Sequence, residues 1–287
     1  MNDDRLVAVV TGANRGIGKA IVRRLLLQTE KPLVVYLTAR NIDRGQQAFD
    51  DLRREQLSSQ NELRFHQLDV SDHQSIAAFI SYLSLVHGSL CIDILVNNAG
   101  GVVKSKDTVV RSCDPDTAQR TVHLNYFTAI NMTTLTMPHM RPHGRIVFMV
   151  TALAHLGIFS GDLPKVLTSD DLNLNGLNIV ENGFVSSVGK GSFSSYGFPP
   201  MPFAVAKAGL IAYARMLARI STNTHDPRDL LFAAVCPGYV KTDMTGPFAP
   251  LTPDQGAETP VYVALSNDRR LWRHNGGLWK HLKPLKW

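Results

Sequence analysis

The stretch TGANRGIG, residues 11–18, limits the possible folds of this chain more than any other part of its sequence. It follows the apolar run LVAVV and precedes a segment whose apolar residues recur at the spacing of one helix face. Gly12, Gly16 and Gly18 allow a tight turn and let the main chain approach a pyrophosphate at the helix N-terminus. The stretch therefore predicts a strand, a phosphate-binding turn and a helix, although a glycine-rich turn without a ligand has the same sequence pattern.

Five further apolar runs alternate with segments of helical period. They are PLVVYLTAR (32–40), LRFHQLDV (63–70), IDILVNNAG (92–100), GRIVFMVT (144–151) and LLFAAVCPG (230–238). Runs that are apolar on both faces are typical of a buried parallel sheet, and their alternation with helices indicates repeated βαβ units. The sequence predicts an α/β fold of the Rossmann type, with a doubly wound parallel sheet of about seven strands in a single domain, 1–287.

Residues 154–200 depart from this alternation because they are rich in Gly, Ser, Asn and Pro. A segment of this length without regular structure is unusual inside a compact domain and is often functional. Within it, LTSDDLNLNGLNIV predicts a short helix with Thr168 or Ser169 as its N-cap. We expect this insertion to form part of a substrate pocket, with the aromatic-rich GSFSSYGFPPMPF as one wall.

The composition narrows the classes of partner. The net charge is +6, but the basic residues are neither clustered nor interleaved with aromatic residues, which favours a polyanionic small molecule over nucleic acid. No apolar run approaches the roughly 18 residues that span a bilayer, and the polar start Met1 to Arg5 is not typical of a signal peptide. Cys91, Cys113 and Cys236 lack metal-like spacing, so we expect reduced thiols in a cytoplasmic protein that has no metal and no membrane partner.

Two arginines bear on the choice of dinucleotide. The second strand ends in Arg40, where a protein that binds NAD usually carries an acid for the ribose 2′-hydroxyl. An arginine there can pair with a 2′-phosphate, and Arg15 in the glycine loop adds a second cation. Together they favour NADPH over NADH, although either arginine alone could be a solvated surface residue. Asp69, at the end of the third strand, could accept from the adenine amino group or could be a turn or N-cap residue.

Several long stretches, in order, carry a resemblance that covers almost the whole chain. They are VTGANRGIG, LTARNIDRGQ, RFHQLDVSDHQSI, DILVNNAG, GRIVF, VCPGYVKTDM and GAETPVYVAL. With these stretches, the sequence resembles the short-chain dehydrogenase/reductase superfamily and, within it, the monomeric NADPH-dependent carbonyl reductases. The resemblance implies an oxidoreductase. It also implies a monomer, because in those relatives the insertion before the catalytic helix covers the face used for tetramer assembly.

The resemblance implies roles for particular residues. Asn97 to Gly100 would support the sheet behind the cofactor, and VCPGYVKTD would contact its nicotinamide end. Asn125 would hold a water and the helix backbone near Lys207, which would hold the nicotinamide ribose. Each of the two could instead have a purely structural role. Asn125 could cap or bend a helix, and Lys207 could be a solvated helix lysine. The residues expected at the cofactor are Gly12, Asn14, Arg15, Gly16, Ile17, Gly18, Arg40, Asp69, Val70, Asn97, Ala99, Gly100, Lys207, Pro237, Gly238, Val240 and Thr242.

Two catalytic positions depart from the family. Thr151 stands in place of the serine at the end of strand five; it keeps a hydroxyl but adds a crowding methyl group. The family's Tyr-x-x-x-Lys places a phenol and an ammonium one helical turn apart, and the phenol gives its proton to the alkoxide formed by hydride transfer. Here the pattern is Phe203-x-x-x-Lys207, and no tyrosine of the chain stands four residues before a lysine. Phe203 could also be simple core packing.

Ordinary carbonyl reduction without the phenol should be slow, because a positioned acid contributes about 10²- to 10⁴-fold. Tyr196, Thr151 or a water near Lys207 are candidate replacement donors, although Tyr196 could also be an ordinary loop aromatic. The pocket is expected to include Ala152, His155, Tyr196 and Tyr239.

Three functions therefore stay open. The first is an NADPH-dependent reductase of large apolar ketones or aldehydes, with a native or an introduced Phe203. The second is a catalyst of iminium reduction or of redox-neutral cyclisation or isomerisation. The third is a catalytically silent protein that binds NADPH.

Overall fold

The computed structural model of the protein describes residues 5–28, 30–55, 60–103 and 113–287. The polar start expected at Met1 to Arg5 lies outside these described residues, apart from Arg5 itself. Among the described residues, no helix combines the length and the hydropathy needed to cross a membrane. The cysteines Cys91, Cys113 and Cys236 are all free thiols.

An eight-stranded sheet forms the centre of the described fold. Its strands are β1 (Leu6–Val10), β2 (Leu33–Ala39), β3 (Glu62–Gln67), β4 (Ile92–Asn97), β5 (Met140–Met149), β6 (Leu231–Val235), β7 (Leu278–Lys280) and β8 (Lys283–Leu285). They lie in the order β3-β2-β1-β4-β5-β6-β7-β8, and every neighbouring pair is parallel except β7 and β8. The predicted parallel sheet is confirmed, with two short strands after the six that the apolar runs indicated.

Helices cover both faces of this sheet. They are α1 (Gly16–Leu26), α2 (Ile42–Arg54), α3 (His73–His87), α4 (Pro115–Val122), α5 (Thr128–Thr136), α6 (Leu163–Thr168), α7 (Leu174–Gly189), α8 (Pro202–Asn223), α9 (Pro253–Gly256), α10 (Glu258–Leu265) and α11 (Arg269–Arg273), and a π-helical turn, His123–Phe127, joins α4 to α5. One hydrophobic cluster packs α3, α5, α7 and α8 against the sheet, and a second packs α1, α2 and α10 on the opposite face. A hydrophobic cluster thus lies on each face of the sheet, as a doubly wound fold requires.

The burial of each strand explains why its sequence is apolar. All seven residues of β2 are buried, because β1 and β3 flank it and helices cover both of its faces. The residues of β3 are only partly buried, since it is the edge strand, and its sequence ELRFHQ is correspondingly more polar. Each fully buried valine or leucine contributes about 1.5–3 kcal/mol relative to leaving it exposed.

The insertion, residues 154–200, is more helical than its composition indicated. Helix α7 begins at Leu174, and its N-cap is Asn173, whose side chain accepts from the amide of Gly176. The prediction of Thr168 or Ser169 as the N-cap is therefore wrong. Thr168 is the last residue of α6 and its hydroxyl donates to the carbonyl of Pro164 at 2.7 Å. Helix α7 packs against α4 and α8, so the insertion lies beside the helix that carries Lys207.

Candidate active site

The glycine loop between β1 and α1 uses its glycines in two ways. Gly12 and Gly16 have φ angles of +62° and +54°, a region that favours glycine. Gly18 is needed for space, because a Cβ there would lie 2.5 Å from Asn98 Nδ2 and 2.8 Å from the oxygen of Gly12. Arg15, the N-cap of α1, forms no side-chain capping bond. No side chain of the N-cap residue therefore bonds the first amides of α1, which leaves them available to an anion such as a pyrophosphate.

Asn98 holds this loop to the end of β4. Its side-chain Nδ2 donates to the carbonyl oxygens of Thr11 at 2.9 Å and Gly12 at 3.1 Å. Its main-chain N–H donates to the Thr11 hydroxyl at 3.0 Å. Asn97 is buried instead, and its Nδ2 donates to the Thr133 hydroxyl of α5 at 2.9 Å. Asn97 was predicted as a site residue, whereas Asn98 was included only in the range Asn97 to Gly100. The adjacent asparagines alternate in direction, and only the structure shows which one meets the loop.

The two arginines expected near a 2′-phosphate are both exposed. Arg40 is the first residue after β2. Arg15 forms an ion pair with Asp243, with 2.8 Å between a guanidinium nitrogen and Oδ2, and the two side chains are 65% and 76% exposed. Asp243 was not predicted as a site residue, although KTDM belongs to a stretch that carried the resemblance.

Asp69 forms a turn. Its Oδ1 accepts from the amide of Ser71 at 2.9 Å and from the Ser71 hydroxyl at 2.6 Å. The N-cap of α3 is Asp72, whose side chain accepts from the amide of Gln74. The residues expected at the cofactor that are half-buried include Asn14, Ile17, Val70, Ala99 and Pro237.

Lys207 carries a buried ammonium group. The residue is 5% exposed, and burial lowers the pKa of Lys207 to about 7. No ion pair joins it to a carboxylate within the described part of the chain. A Cβ at Gly100 would lie 3.4 Å from Lys207 Nζ and 2.7 Å from Asn125 Oδ1, so the end of β4, the π-helical turn and α8 meet at this point. The structure thus brings Gly100, Asn125 and Lys207 together.

The amide group of Asn125 is bonded to main chain. Its Nδ2 donates to the carbonyls of Gly101 at 2.8 Å and Thr121 at 2.9 Å, while its Oδ1 accepts from the amide of Gly101 at 2.9 Å. The residue is fully buried in the π-helical turn. Asn125 therefore sets the path of the chain after β4, directly beside the Lys207 ammonium.

Phe203 lies half-buried in the first turn of α8. Lys207 Nζ is 5.5 Å from the centre of its ring, which is within the range of a cation–π contact. Thr151 follows β5 and is half-buried, and its hydroxyl accepts from the amide of Leu153 at 3.2 Å. Neither position supplies the phenolic hydroxyl that the family pattern uses as its acid.

The segment after β6 crosses the glycine loop and the end of β4. Gly238 has a φ angle of +87°, and Val240 is buried. A Cβ at Gly16 would lie 3.4 Å from Thr242 Cγ2, and a Cβ at Gly101 would lie 3.4 Å from Met244 Cε. Residues 240–244 therefore lie over the same edge of the sheet as the glycine loop, which is where the resemblance expects the nicotinamide end of a cofactor.

The residues expected in the substrate pocket are unevenly buried. Ala152 is half-buried, and its amide donates to the sulfur of Cys236 at 3.2 Å. His155 is exposed, as are Tyr196 and Tyr239, at 62% and 56%. No hydrogen bond joins Tyr196 to Lys207 among the described residues. A role for Tyr196 as the replacement proton donor stays a prediction.

The buried carboxyl group of Glu181 was not predicted as part of the site. Glu181 of α7 is 1% exposed, neither of its oxygens has a hydrogen-bond partner among the described residues, and burial raises its pKa well above the usual value. A Cβ at Gly209 of α8 would lie 2.2 Å from Glu181 Oε1. Gly209 therefore leaves the space that this side chain fills. Across the described residues, no cluster of three or more His, Cys, Asp or Glu side chains could hold a metal ion.

Comparisons with known proteins agree with this geometry. The sequence model of the family described as short chain dehydrogenase matches residues 6–161. The chain belongs to the short-chain dehydrogenase family. Among relatives, carbonyl reductase (NADPH) 3 of Homo sapiens is 40% identical over 262 residues, and carbonyl reductase (NADPH) 1 of Homo sapiens is 38% identical over 261 residues. Both alignments cover 90% of this short-chain dehydrogenase and 90% of the relative.

Solved structures of the family share the fold. Salutaridine reductase from Papaver somniferum is 26% identical with a TM-score of 0.80, and the match covers 92% of this chain and 97% of that one. The menthone neomenthol reductase from Mentha piperita is 27% identical with a TM-score of 0.73, over 91% and 94% of the two chains. The predicted resemblance to carbonyl reductase-like members of the family is confirmed.

Proposed function

We propose that this short-chain dehydrogenase is an NADPH-dependent reductase that transfers hydride to the carbonyl carbon of a fairly large, apolar ketone or aldehyde. The observation that carries the proposal is the meeting of Gly100, Asn125 and Lys207 at the sheet edge that also holds the glycine loop. Two relatives about 40% identical are named carbonyl reductases that use NADPH, which supports both the cofactor and the reaction.

In this proposal the chain's own residues bind and orient the cofactor. The free amides at the start of α1 would hold the pyrophosphate, and Arg15 and Arg40 would hold the 2′-phosphate. Lys207 would donate to the nicotinamide ribose, and residues 237–242 would contact the nicotinamide end. The cofactor would supply the hydride. Asn125 keeps the turn after β4 in place, because its side chain is bonded to the main chain of Gly101 and Thr121.

The proposal assigns the carbonyl oxygen to the Thr151 hydroxyl, which can donate to it. Phe203 occupies the position of the general acid and cannot donate a proton. We assign the proton to a water beside Lys207, since the Lys207 pKa of about 7 allows that group to give up and regain a proton near neutral pH. Tyr196 is a weaker candidate because it is 62% exposed and makes no hydrogen bond to Lys207.

The whole chain is proposed to act as one domain, with the insertion lining the substrate pocket. Exposed apolar side chains near the sheet edge support a large apolar substrate, among them Leu153, Tyr196, Tyr239 and Met244. Helix α7 lies on α4 and α8, and this packing supports a monomer.

The direct test is NADPH oxidation with a panel of quinones, aryl ketones and aldehydes, with the product identified by mass. One NADPH consumed for each alcohol formed is the expected result. Saturable NADPH binding without oxidation by any panel member, in the chain and in the Phe203→Tyr variant alike, would overturn the proposal in favour of a silent NADPH-binding protein.

A second candidate, iminium reduction or a redox-neutral cyclisation, is favoured by Phe203 itself. Hydride transfer to an iminium carbon produces a neutral amine, so no proton has to be given to an alkoxide. Cyclic imines added to the panel distinguish reduction, which consumes NADPH, from cyclisation, which continues without it.

The choice of cofactor can be tested at Arg40. Arg40→Ala is expected to weaken NADPH binding by about 10-fold, because a charge-assisted bidentate contact to the 2′-phosphate is lost. NADH binding should change less than twofold. Fluorescence titration of both cofactors measures this, and Arg53→Ala, which removes another exposed arginine, is the control. Equal losses for NADPH and NADH would contradict a role for Arg40 at the 2′-phosphate.

Asp243 is expected to restrain Arg15. Since the two side chains form an exposed ion pair, the 2′-phosphate must compete with Asp243 for the same guanidinium. An exposed pair is worth about 0–1 kcal/mol, so Asp243→Asn should tighten NADPH binding by up to about fivefold and leave NADH binding unchanged. The same titration measures the effect. Weaker NADPH binding in Asp243→Asn would mean instead that the ion pair holds the cofactor site closed.

A further inference from the structure

A second cleft, with a volume of about 370 Å³, lies beside the C-terminal half of α8. Its walls come from the end of α6 and the linker to α7, from one side of α8, and from α11 with the residues that follow it. Along α8, its lining runs from Ala212 to Asn223, which follow Lys207 by 5 and 16 residues, or about 8 and 24 Å at the helical rise. None of the residues expected at the cofactor, at the catalytic positions or in the substrate pocket lines it. The cleft is therefore separate from the candidate active site.

Three arginines line this cleft, namely Arg215, Arg219 and Arg273. None of the three forms an ion pair with a carboxylate in the part of the chain that the structure describes. Other arginines of the molecule do, such as Arg24 with Asp254 and Arg141 with Asp93. The cleft therefore gathers three guanidinium groups that have no ion-pair partner among the described residues.

Arg219 is held in a defined position. Its guanidinium donates to the main-chain oxygens of Ser169, at 3.1 Å, and Leu172, so it joins the insertion to α8. Arg215 and Arg273 are exposed, and the Arg215 guanidinium lies 6.0 Å from the centre of the Trp287 ring. One guanidinium held by hydrogen bonds and two exposed ones therefore line the same cleft.

The remaining lining adds hydrogen-bonding groups and an apolar wall. Asp170 is the one acid among the lining residues, so the cleft carries a net charge of +2. The partial negative charge at the C-terminus of α8, about half an elementary charge, reduces this potential but does not reverse its sign. Polar side chains are supplied by Thr168, Ser169, Thr222, Asn223 and Asn275, and apolar surface by Leu167, Leu172, Met216 and Trp272.

We propose that this cleft binds a small organic dianion, in which a phosphate or dicarboxylate head is attached to a compact apolar or aromatic body. Guanidinium groups bind such oxyanions through paired, charge-assisted hydrogen bonds, and the aliphatic and indole surfaces take up the body. The volume lies near the lower end of the range for small-molecule sites, which suits one ring with its anionic group. The bound dianion would connect the insertion linker to α8, the helix that carries Lys207.

Isothermal titration with phenyl phosphate tests the proposal, on protein saturated with NADPH so that the first anion site is filled. We expect a single site with a Kd below about 1 mM, at least tenfold weaker binding in the Arg215→Gln/Arg273→Gln variant, and no change in Arg53→Gln/Lys190→Gln, which removes two exposed cations elsewhere. Both substituted arginines are exposed, so folding should be preserved, which circular dichroism checks.

The titration measures binding and not turnover, and it can be repeated on cofactor-free protein. Its failure can therefore be distinguished from a failure of the proposed function. Phthalate and inorganic phosphate show whether a dicarboxylate head suffices and whether the apolar body is needed. Absence of saturable binding, or equal weakening in the cleft variant and the control variant, would overturn the proposal.

Discussion

Phe203→Tyr is expected to raise the rate constant of hydride transfer to ketones by about 10²- to 10⁴-fold, the usual contribution of a positioned general acid. The substitution adds one hydroxyl to a ring that already lies 5.5 Å from Lys207 Nζ. The nearby cation would lower the pKa of the new phenol, as a positive charge does for any acid, and so bring its proton closer to transfer at neutral pH. Stopped-flow measurement of NADPH oxidation reports this step directly.

Two variants separate the added acid from other effects. Phe203→Leu removes the ring without adding a hydroxyl and should not gain activity on ketones. Tyr196→Phe in the Phe203→Tyr background should retain the gain, because the new phenol replaces any donor in the insertion. A Phe203→Tyr protein no faster than the original, with imines as its substrates or with none, would mean that the phenylalanine belongs to the native mechanism.

Lys207→Met is expected to change stability and activity in opposite directions. Methionine has a similar length and no charge, so it removes a buried ammonium that has no carboxylate partner among the described residues. The free energy of unfolding near pH 7 should rise by about 3–5 kcal/mol as an upper bound, because each unit of pKa shift corresponds to about 1.4 kcal/mol. Turnover in the Phe203→Tyr background should fall at least about 100-fold, because the lysine no longer assists the phenol or holds the ribose.

The buried Lys207 makes the free energy of unfolding depend on pH. The folded pKa of Lys207, about 7, lies below the ordinary value of 10.5, so between these values the unfolded chain binds the extra proton. Stability therefore rises with pH in this window, by at most about 1.4 kcal/mol per pH unit, and the destabilisation is fully present below pH 7. Denaturant unfolding of cofactor-free protein between pH 6 and 9 measures the rise, which Lys207→Met should lack.

Lys190→Met is the matched control for this prediction, because Lys190 is exposed at the end of α7. It should leave both the stability and its pH dependence unchanged. If Lys207→Met lowered the free energy of unfolding, the ammonium would have to be stabilised in the fold by contacts that outweigh its desolvation.

Local sequence was sufficient to predict most of the sheet and the glycine loop. β1, β2 and β6 are short runs of apolar residues because both of their faces are buried, and this leaves a signal that needs no tertiary information. The glycine spacing was equally informative, since positive φ at Gly12 and Gly16 and close packing at Gly18 each exclude a side chain.

The insertion was harder to predict. Its polar composition suggested irregular structure, but Leu177 and Phe184 of α7 are buried by contact with elements distant in the chain. Whether a moderately apolar segment forms a helix there depends on that tertiary burial, because helix propensity alone is a weak determinant. The N-cap was misplaced for the same reason, since several polar residues in the linker could serve and packing selected Asn173.

The sequence by itself determined the fold class, the phosphate-binding loop, the family and the absence of a tyrosine before Lys207, because these depend on residue type and short spacing. Only the tertiary structure decided that Asn98 rather than Asn97 holds the glycine loop and that Asp243 pairs with Arg15. It also decided that Lys207 is buried with a lowered pKa, and that Arg215, Arg219 and Arg273 line one cleft. The physical reason is that direction, desolvation and charge pairing are set by residues far apart in the chain, and no local pattern records them.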